Sequence, residues 1–148
     1  MDDHLDDLYQ EIILGHNKRP KNKGILDPFD GKGEGYNPLC GDEVDVFVCK
    51  GEGPVLEKVQ FSGEGCAISQ ASASMMTMSV KGKNFEEAQA EIERVVGMLT
   101  AAEEPADVDL SVWGDLAALV GVRKFPARIK CATLAWHALE EAMAAAKK

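Results

Sequence analysis

Cys40-Gly41-Asp42-Glu43-Val44-Asp45-Val46-Phe47-Val48-Cys49 carries two signals in one short stretch. Val44, Val46 and Val48 alternate with Asp45, Phe47 and Cys49, the period of a β-strand. Continued backwards in extended form, the alternation places Cys40 and Asp42 on the face of Val44 and Cys49 on the opposite face. Two metal-ligand types therefore share a face, and Cys49 reads as a strand residue rather than a ligand. Downstream, Lys50-Gly51-Glu52-Gly53-Pro54 has turn composition, and Val55, Val59 and Phe61 carry the pattern into a second strand. An antiparallel hairpin is predicted.

Two more cysteines extend the candidate site. Gly63-Glu64-Gly65-Cys66 leads into residues 67–80, a run of Ala, Ser and Met that predicts a helix packed closely on its neighbours. Cys66 falls at that helix's N-terminus, where the helix dipole favours a thiolate; the glycines also read simply as the strand-to-helix turn. Met75, Met76 and Met78 read as core fillers. Cys131 lies near the start of a last helix, with Pro126 in its first turn and a buried stripe of Ile129, Ala132, Trp136, Leu139 and Met143. Lys147 and Lys148 suit the dipole at its end. Three thiols and a carboxylate make a tetrahedral zinc donor set. The same residues also read as small buried hydrophobes and a turn aspartate, and no CxxC pair marks the site. Arg128, three residues before Cys131, shares its helix face. It reads either as a partner for a carboxylate or thiolate or as a solvated charge. His137 is six residues past Cys131, about 240° around the helix, and faces away. His4, His16 and His137 all read as surface or packing residues.

The rest of the chain frames these segments. Leu5, Leu8, Tyr9, Ile12 and Ile13 predict an N-terminal helix ending between Gly15 and Asn17, packed on the body of the protein or docking a partner. Residues 17–36, with Gly24, Gly31, Gly33, Gly35, Pro20 and Pro28, have the composition of a long loop. Asn84 and Glu87 match a capping box before a helix bearing Phe85, Ala88, Ile92, Val95 and Leu99. Residues 101–109 are acidic and contain Pro105, a surface loop; Leu116, Leu119 and Val120 suggest a short helix stopped by Gly121.

Composition bounds the function. The 148 residues fit a single domain, and 45% hydrophobic content suffices for a core. The formal net charge of −9 argues against nucleic acid as the main partner. No run of eighteen apolar residues occurs and the N-terminus lacks a secretory h-region, so no membrane association and a cytoplasmic location are expected. There, four cysteines indicate metal or redox chemistry before disulfides.

Asn37-Pro38-Leu39-Cys40-Gly41-Asp42, Gly63-Glu64-Gly65-Cys66-Ala67-Ile68-Ser69 and Lys130-Cys131-Ala132-Thr133-Leu134-Ala135-Trp136, in that order, resemble the iron–sulfur assembly proteins of the IscU/SufU family. The resemblance runs from about Leu5 to Met143. It implies an α+β fold, a small antiparallel sheet with helices packed on one face, and a third strand in or near the segment read as a loop before Cys40. IscU-type scaffolds place a His directly before the third cysteine, where this chain has Lys130. Sixty-four residues separate Cys66 from Cys131, and residues 101–121 look like the insertion of SufU-type proteins. Both features resemble the SufU branch.

That resemblance implies zinc held by Cys40, Asp42, Cys66 and Cys131, with Cys40 accepting sulfur from a SufS-type cysteine desulfurase and Arg128 assisting. It also implies that a desulfurase histidine takes over one zinc position and frees Cys40. Sulfur transfer needs a thiolate to attack a persulfide sulfur, and zinc keeps its thiols deprotonated at neutral pH. The expected role is thus sulfurtransferase-like, a persulfide acceptor supplying downstream iron–sulfur assembly proteins rather than a free-standing enzyme. Two other classes stay open. Thiolates also suit a scaffold that builds a [2Fe–2S] cluster and passes it to apo-proteins, which the missing His weakens. A closed four-ligand site also suits a structural zinc module that only docks partners, against which the Asp ligand argues.

Overall fold

The computed structural model describes residues 3–100 and 113–147. The sheet grows from the predicted hairpin: β2 (Asp42–Lys50) and β3 (Leu56–Glu64) pair antiparallel, Val46 opposite Phe61 and Val48 opposite Val59. Val44, Val46, Val48, Val59 and Phe61 are all buried, as the alternation requires. A third strand, β1 (Gly31–Asn37), pairs antiparallel with β2 and completes the order β1-β2-β3.

β1 lies inside the segment whose composition reads as a loop, and that reading is corrected here. Its glycines are a packing device. A Cβ at Gly31 would overlap the Ala142 carbonyl, one at Gly33 the Ala138 carbonyl, and one at Gly35 would lie 2.9 Å from the Leu134 side chain. These residues belong to α4 (Pro126–Ala146), which lies against β1 at backbone contact. Glycine weakens a lone strand, but here it marks a close approach of another backbone. The third strand implied by the family resemblance is therefore present.

The remaining elements cover the same side. The first helix, α1 (Asp3–Lys18), packs on α2 (Ala67–Val80) and on a 3-10 helix (Gly114–Lys124), with Ile12 and Ile13 against the core. Next after α2, α3 (Phe85–Thr100) starts at the predicted capping box, Asn84 Oδ1 accepting Glu87 N–H at 2.7 Å and Glu87 Oε1 accepting Asn84 N–H at 3.1 Å. Its predicted stripe, Phe85 to Leu99, is buried. At the centre, Trp136 is fully buried and its indole N–H donates to Ser72 Oγ at 3.1 Å, joining α4 to α2. The architecture is α+β, a three-stranded antiparallel sheet with helices packed on it.

Three further expectations need correction. Met75 and Met76 are buried, but Met78 is 50% exposed and fills no core. Gly121 does not stop its helix; the 3-10 turns run on to Lys124 because Leu119, Val120 and Val122 stay buried across the glycine. The extension of strand parity back to Cys40 fails, since residues 38–41 form a turn with Gly41 at φ +68°. The acidic stretch 101–109, most of the insertion at 101–121, Lys148, and the side chains of Leu5, Leu8, Tyr9 and His4 lie outside the described residues.

Candidate metal centre

The contact of α4 with β1 sets the address of the third cysteine. Gly31, Gly33, Gly35 and Asn37 share one strand face, and α4 passes them in the order Ala142, Ala138, Leu134, Cys131. Cys131, fully buried, thus arrives at the end of β1, where the chain turns into β2. The turn swings Cys40 over it, leaving the two sulfurs 3.3 Å apart. Asp42 opens β2 and is fully buried. The ligand atoms of Cys40, Asp42 and Cys131 all lie within 4.8 Å of one another.

Cys66 joins from the opposite side as the N-cap of α2. Its backbone N–H donates to Asp42 Oδ1 at 2.7 Å, and its Sγ stands 3.8 Å from Asp42 Oδ2. Gly65 makes this possible. At φ +154° it occupies backbone space that side chains avoid, and a Cβ there would overlap Asp42 Oδ1. Ser69 Oγ donates to the Cys66 carbonyl at 3.0 Å and also hydrogen-bonds Asp42. Arg128, on the exposed first turn of α4, sets Nη1 3.6 Å from Cys40 Sγ.

The electrostatics follow from this crowding. Burial raises the Asp42 pKa, but hydrogen bonds from Cys131, from the Cys66 N–H and thiol, and from Ser69 outweigh it and leave the carboxyl below its ordinary value. The Cys131 thiol is pushed far up, first by burial, then by its hydrogen bonds with Asp42, Cys40 and Cys66. Arg128 is pushed up by its hydrogen bond with Cys131 and by the charges of Cys40, Cys66 and Cys131.

Of the five residues singled out in the sequence, Cys40, Asp42 and Cys131 thus cluster, Cys66 touches the cluster through Asp42, and Arg128 sits at its rim. Cys49 stands apart, its Sγ 3.5 Å from the Pro28 carbonyl oxygen. Of the histidines, His16 is buried and bridges Ser74 Oγ at 2.7 Å and Asp115 at 2.9 Å, while His137 is exposed and pairs with Glu140. Lys130 is exposed. Two residues escaped the sequence reading. Asn37 donates to Cys131 Sγ at 3.5 Å, and Ser69 braces Cys66 and Asp42. Their position inside the first two motifs was the only signal available.

The donor set fits a soft divalent metal. Cys40, Asp42 and Cys131 form a three-donor cluster, and Cys66 Sγ stands beside it, 3.8 Å from Asp42 Oδ2, as the fourth donor a tetrahedral site would draw in. The 3.3 Å Cys40–Cys131 separation approaches the roughly 3.8 Å edge of a tetrahedron built on Zn–S bonds of about 2.3 Å. Iron–sulfur clusters draw on the same thiolate chemistry.

The NifU-like N-terminal domain family matches residues 8–132 of the chain. The chain is 46% identical over 141 residues to the zinc-dependent sulfurtransferase SufU of Bacillus subtilis (strain 168), covering 95% of this chain and 92% of that protein. It is 44% identical over 139 residues to the iron–sulfur cluster assembly scaffold protein IscU of Streptococcus pyogenes serotype M1, covering 94% of this chain and 84% of that one. The crystal structure of the N-terminal part of a nitrogen-fixing NifU-like protein from Brucella abortus superposes with a TM-score of 0.76 at 26% identity, covering 97% of this chain and 96% of that one.

Proposed function

The chain belongs to the NifU-like N-terminal domain family, and from that membership we propose that it is a zinc-dependent sulfur acceptor in iron–sulfur cluster assembly. In this reading residues 1–148 act as one domain in the cytoplasm, where reducing conditions keep the four cysteines free. Among the described residues no helix is long and apolar enough to cross a membrane. Zinc is held by Cys40, Asp42, Cys66 and Cys131. The observation that carries the reading is the cluster of Cys40, Asp42 and Cys131, with Cys66 Sγ 3.8 Å from Asp42 Oδ2.

The chemistry then assigns roles. Bound zinc supplies the charge that keeps the thiols deprotonated at neutral pH. Cys40, partly exposed on its turn, is the acceptor. Its thiolate attacks the terminal sulfur of the persulfide carried by a cysteine desulfurase. One S–S bond forms as the donor's S–S bond breaks, the desulfurase thiolate departs, and no outside oxidant or reductant is consumed. Arg128 holds positive charge beside the reacting sulfur from the solvent side. Cys131, fully buried, and Cys66, at a helix start, stay in place as ligands.

A second reading is favoured by the relative named a scaffold: the same thiolates assemble a [2Fe–2S] cluster that is passed to apo-proteins. Metal analysis of protein purified without oxygen separates the two. About one zinc per chain in colourless protein, with faster turnover of a SufS-type desulfurase on its addition, supports the acceptor. Brown protein holding iron and labile sulfide without zinc supports the scaffold.

A further inference from the structure

Outside the four proposed ligands, a buried polar side chain meets both Cys131 and the turn that carries Cys40. Asn37 is 5% exposed, ends β1 and pairs across the sheet with Asp42. Its Oδ1 accepts the backbone N–H of Leu39 at 3.3 Å, inside the turn that carries Cys40. Its Nδ2 lies 3.5 Å from Cys131 Sγ. The Leu39 amide fixes which way the carboxamide faces. A backbone N–H only donates, so the oxygen must meet it and the NH₂ is left facing the sulfur.

We propose that Asn37 is a positioning residue of this site: it donates a hydrogen bond to the Cys131 sulfur and, through Leu39, ties the Cys40 turn to that sulfur. The inference rests on the zinc reading above and adds to it a residue outside the ligand set. Partners that orient a ligand and share its charge tune metal affinity, and losing one typically costs about 10- to 100-fold. Here the support is one-sided. Cys131 is fully buried and meets the Asn37 amide from inside, whereas Cys40 is part-exposed and, among the described residues, has no buried amide on its sulfur. That asymmetry holds the Cys131 sulfur directly and Cys40 only through the backbone of its turn, which leaves the Cys40 sulfur the one able to react.

The glycine face of β1 explains why this position can do it. α4 lies close enough over Gly33 and Gly35 that the next residue on that face meets the helix at Cys131. A carboxamide, whose oxygen accepts on one side and whose NH₂ donates on the other, then spans the turn and the sulfur together.

The test compares wild type with Asn37→Ser and Asn37→Ala. Serine keeps an oxygen able to accept from Leu39 but is too short to reach Cys131; alanine loses both bonds. Zinc affinity is measured by competition with a chromophoric chelator, and the thiolate-to-cobalt charge-transfer band is recorded on the cobalt(II)-loaded proteins. Both variants are expected to bind zinc about 10- to 100-fold more weakly. Both bands should move to lower energy, because the sulfur no longer shares its charge with an N–H. A serine variant with wild-type affinity and a wild-type band overturns the proposal and reduces Asn37 to a turn residue. Metal-free melting curves check the fold, and Asn37→Thr, which fills more of the same space, replaces Asn37→Ser if the latter unfolds. Wild type that binds neither zinc nor cobalt refutes the zinc reading itself, and this inference with it, before any variant is compared.

Discussion

Cys40 precedes β2 and Cys49 lies within it, and the two differ in the groups that decide reactivity. Cys40 faces a thiol at 3.3 Å and an arginine at 3.6 Å, whereas Cys49 faces only a backbone carbonyl. On the acceptor reading, Cys40→Ala abolishes stimulation of the desulfurase, while Cys49→Ser leaves zinc content and stimulation unchanged. After reaction with desulfurase and cysteine, mass spectrometry should place the persulfide on Cys40 rather than on Cys66 or Cys131. A persulfide found mainly on Cys131 would refute the assigned roles. The separation of Cys49 from Asp42 was legible in strand alternation. The route of Cys40 to the site was not, because the turn at Gly41 breaks the extended parity that pointed there. A second residue-scale prediction concerns Glu91. Burial raises its pKa, but hydrogen bonds from Arg94 and Ser79 and the charges of Arg94 and Lys83 outweigh this and hold it below the ordinary 4.5. A carboxyl depressed in the folded state adds stability that is full above its unfolded pKa and fades as pH falls through the folded value. Glu91→Gln should therefore destabilise the protein at neutral pH, and its deficit in urea titrations should shrink as pH drops below about 4.5. A deficit constant from neutral pH to pH 3 would count against the ionised pairing with Arg94.

At the scale of elements, periodicity served wherever one element's own side chains make its buried face. β2, α3 and α4 announce themselves through Val44–Val48, Phe85–Leu99 and Ile129–Met143. β1 did not, because its buried face is a row of absent side chains that acquires meaning only against α4. A glycine-rich strand and a glycine-rich loop look alike until the partner helix is in place. The helix marked by Leu116, Leu119 and Val120 was legible but its end was not, because its buried residues resume past Gly121 at Val122. Gly33→Ala follows as a test of the β1–α4 contact. The added methyl meets the Ala138 carbonyl, a backbone atom that cannot swing aside, so the helix must shift. Overpacking of this kind costs about 1–3 kcal/mol. Because Cys131 rides on the same helix, zinc affinity should fall with stability. A variant as stable as wild type, with unchanged affinity, would show that β1 does not set the position of α4.

Across the whole molecule, the four proposed ligands come from segments spread from residue 40 to residue 131. The β1–β2 turn gives Cys40, β2 gives Asp42, the start of α2 gives Cys66 and α4 gives Cys131. A metal bound there closes the sheet onto two helices at one end of the protein. An unfolded chain has no such preformed site, so the free energy of binding adds to that of folding. Free zinc at about a thousand times the dissociation constant contributes roughly 4 kcal/mol. For a chain of this size each kcal/mol moves the melting temperature by about 2–4 °C, so chelation should lower it by roughly 8–16 °C. Cys49→Ser should show the same drop, since its thiol lies elsewhere. Asp42→Ala should melt nearer the chelated wild type and respond less to chelator, because it removes the oxygen donor and also the acceptor of the Cys66 amide. Calorimetry with metal content checked before and after each scan reads all three. If verified zinc removal leaves the wild-type curve unmoved, the ligands are not coupled to folding. The site would then be a surface cluster whose metal the fold does not need, and the convergence of the four segments would have to be explained by core packing alone.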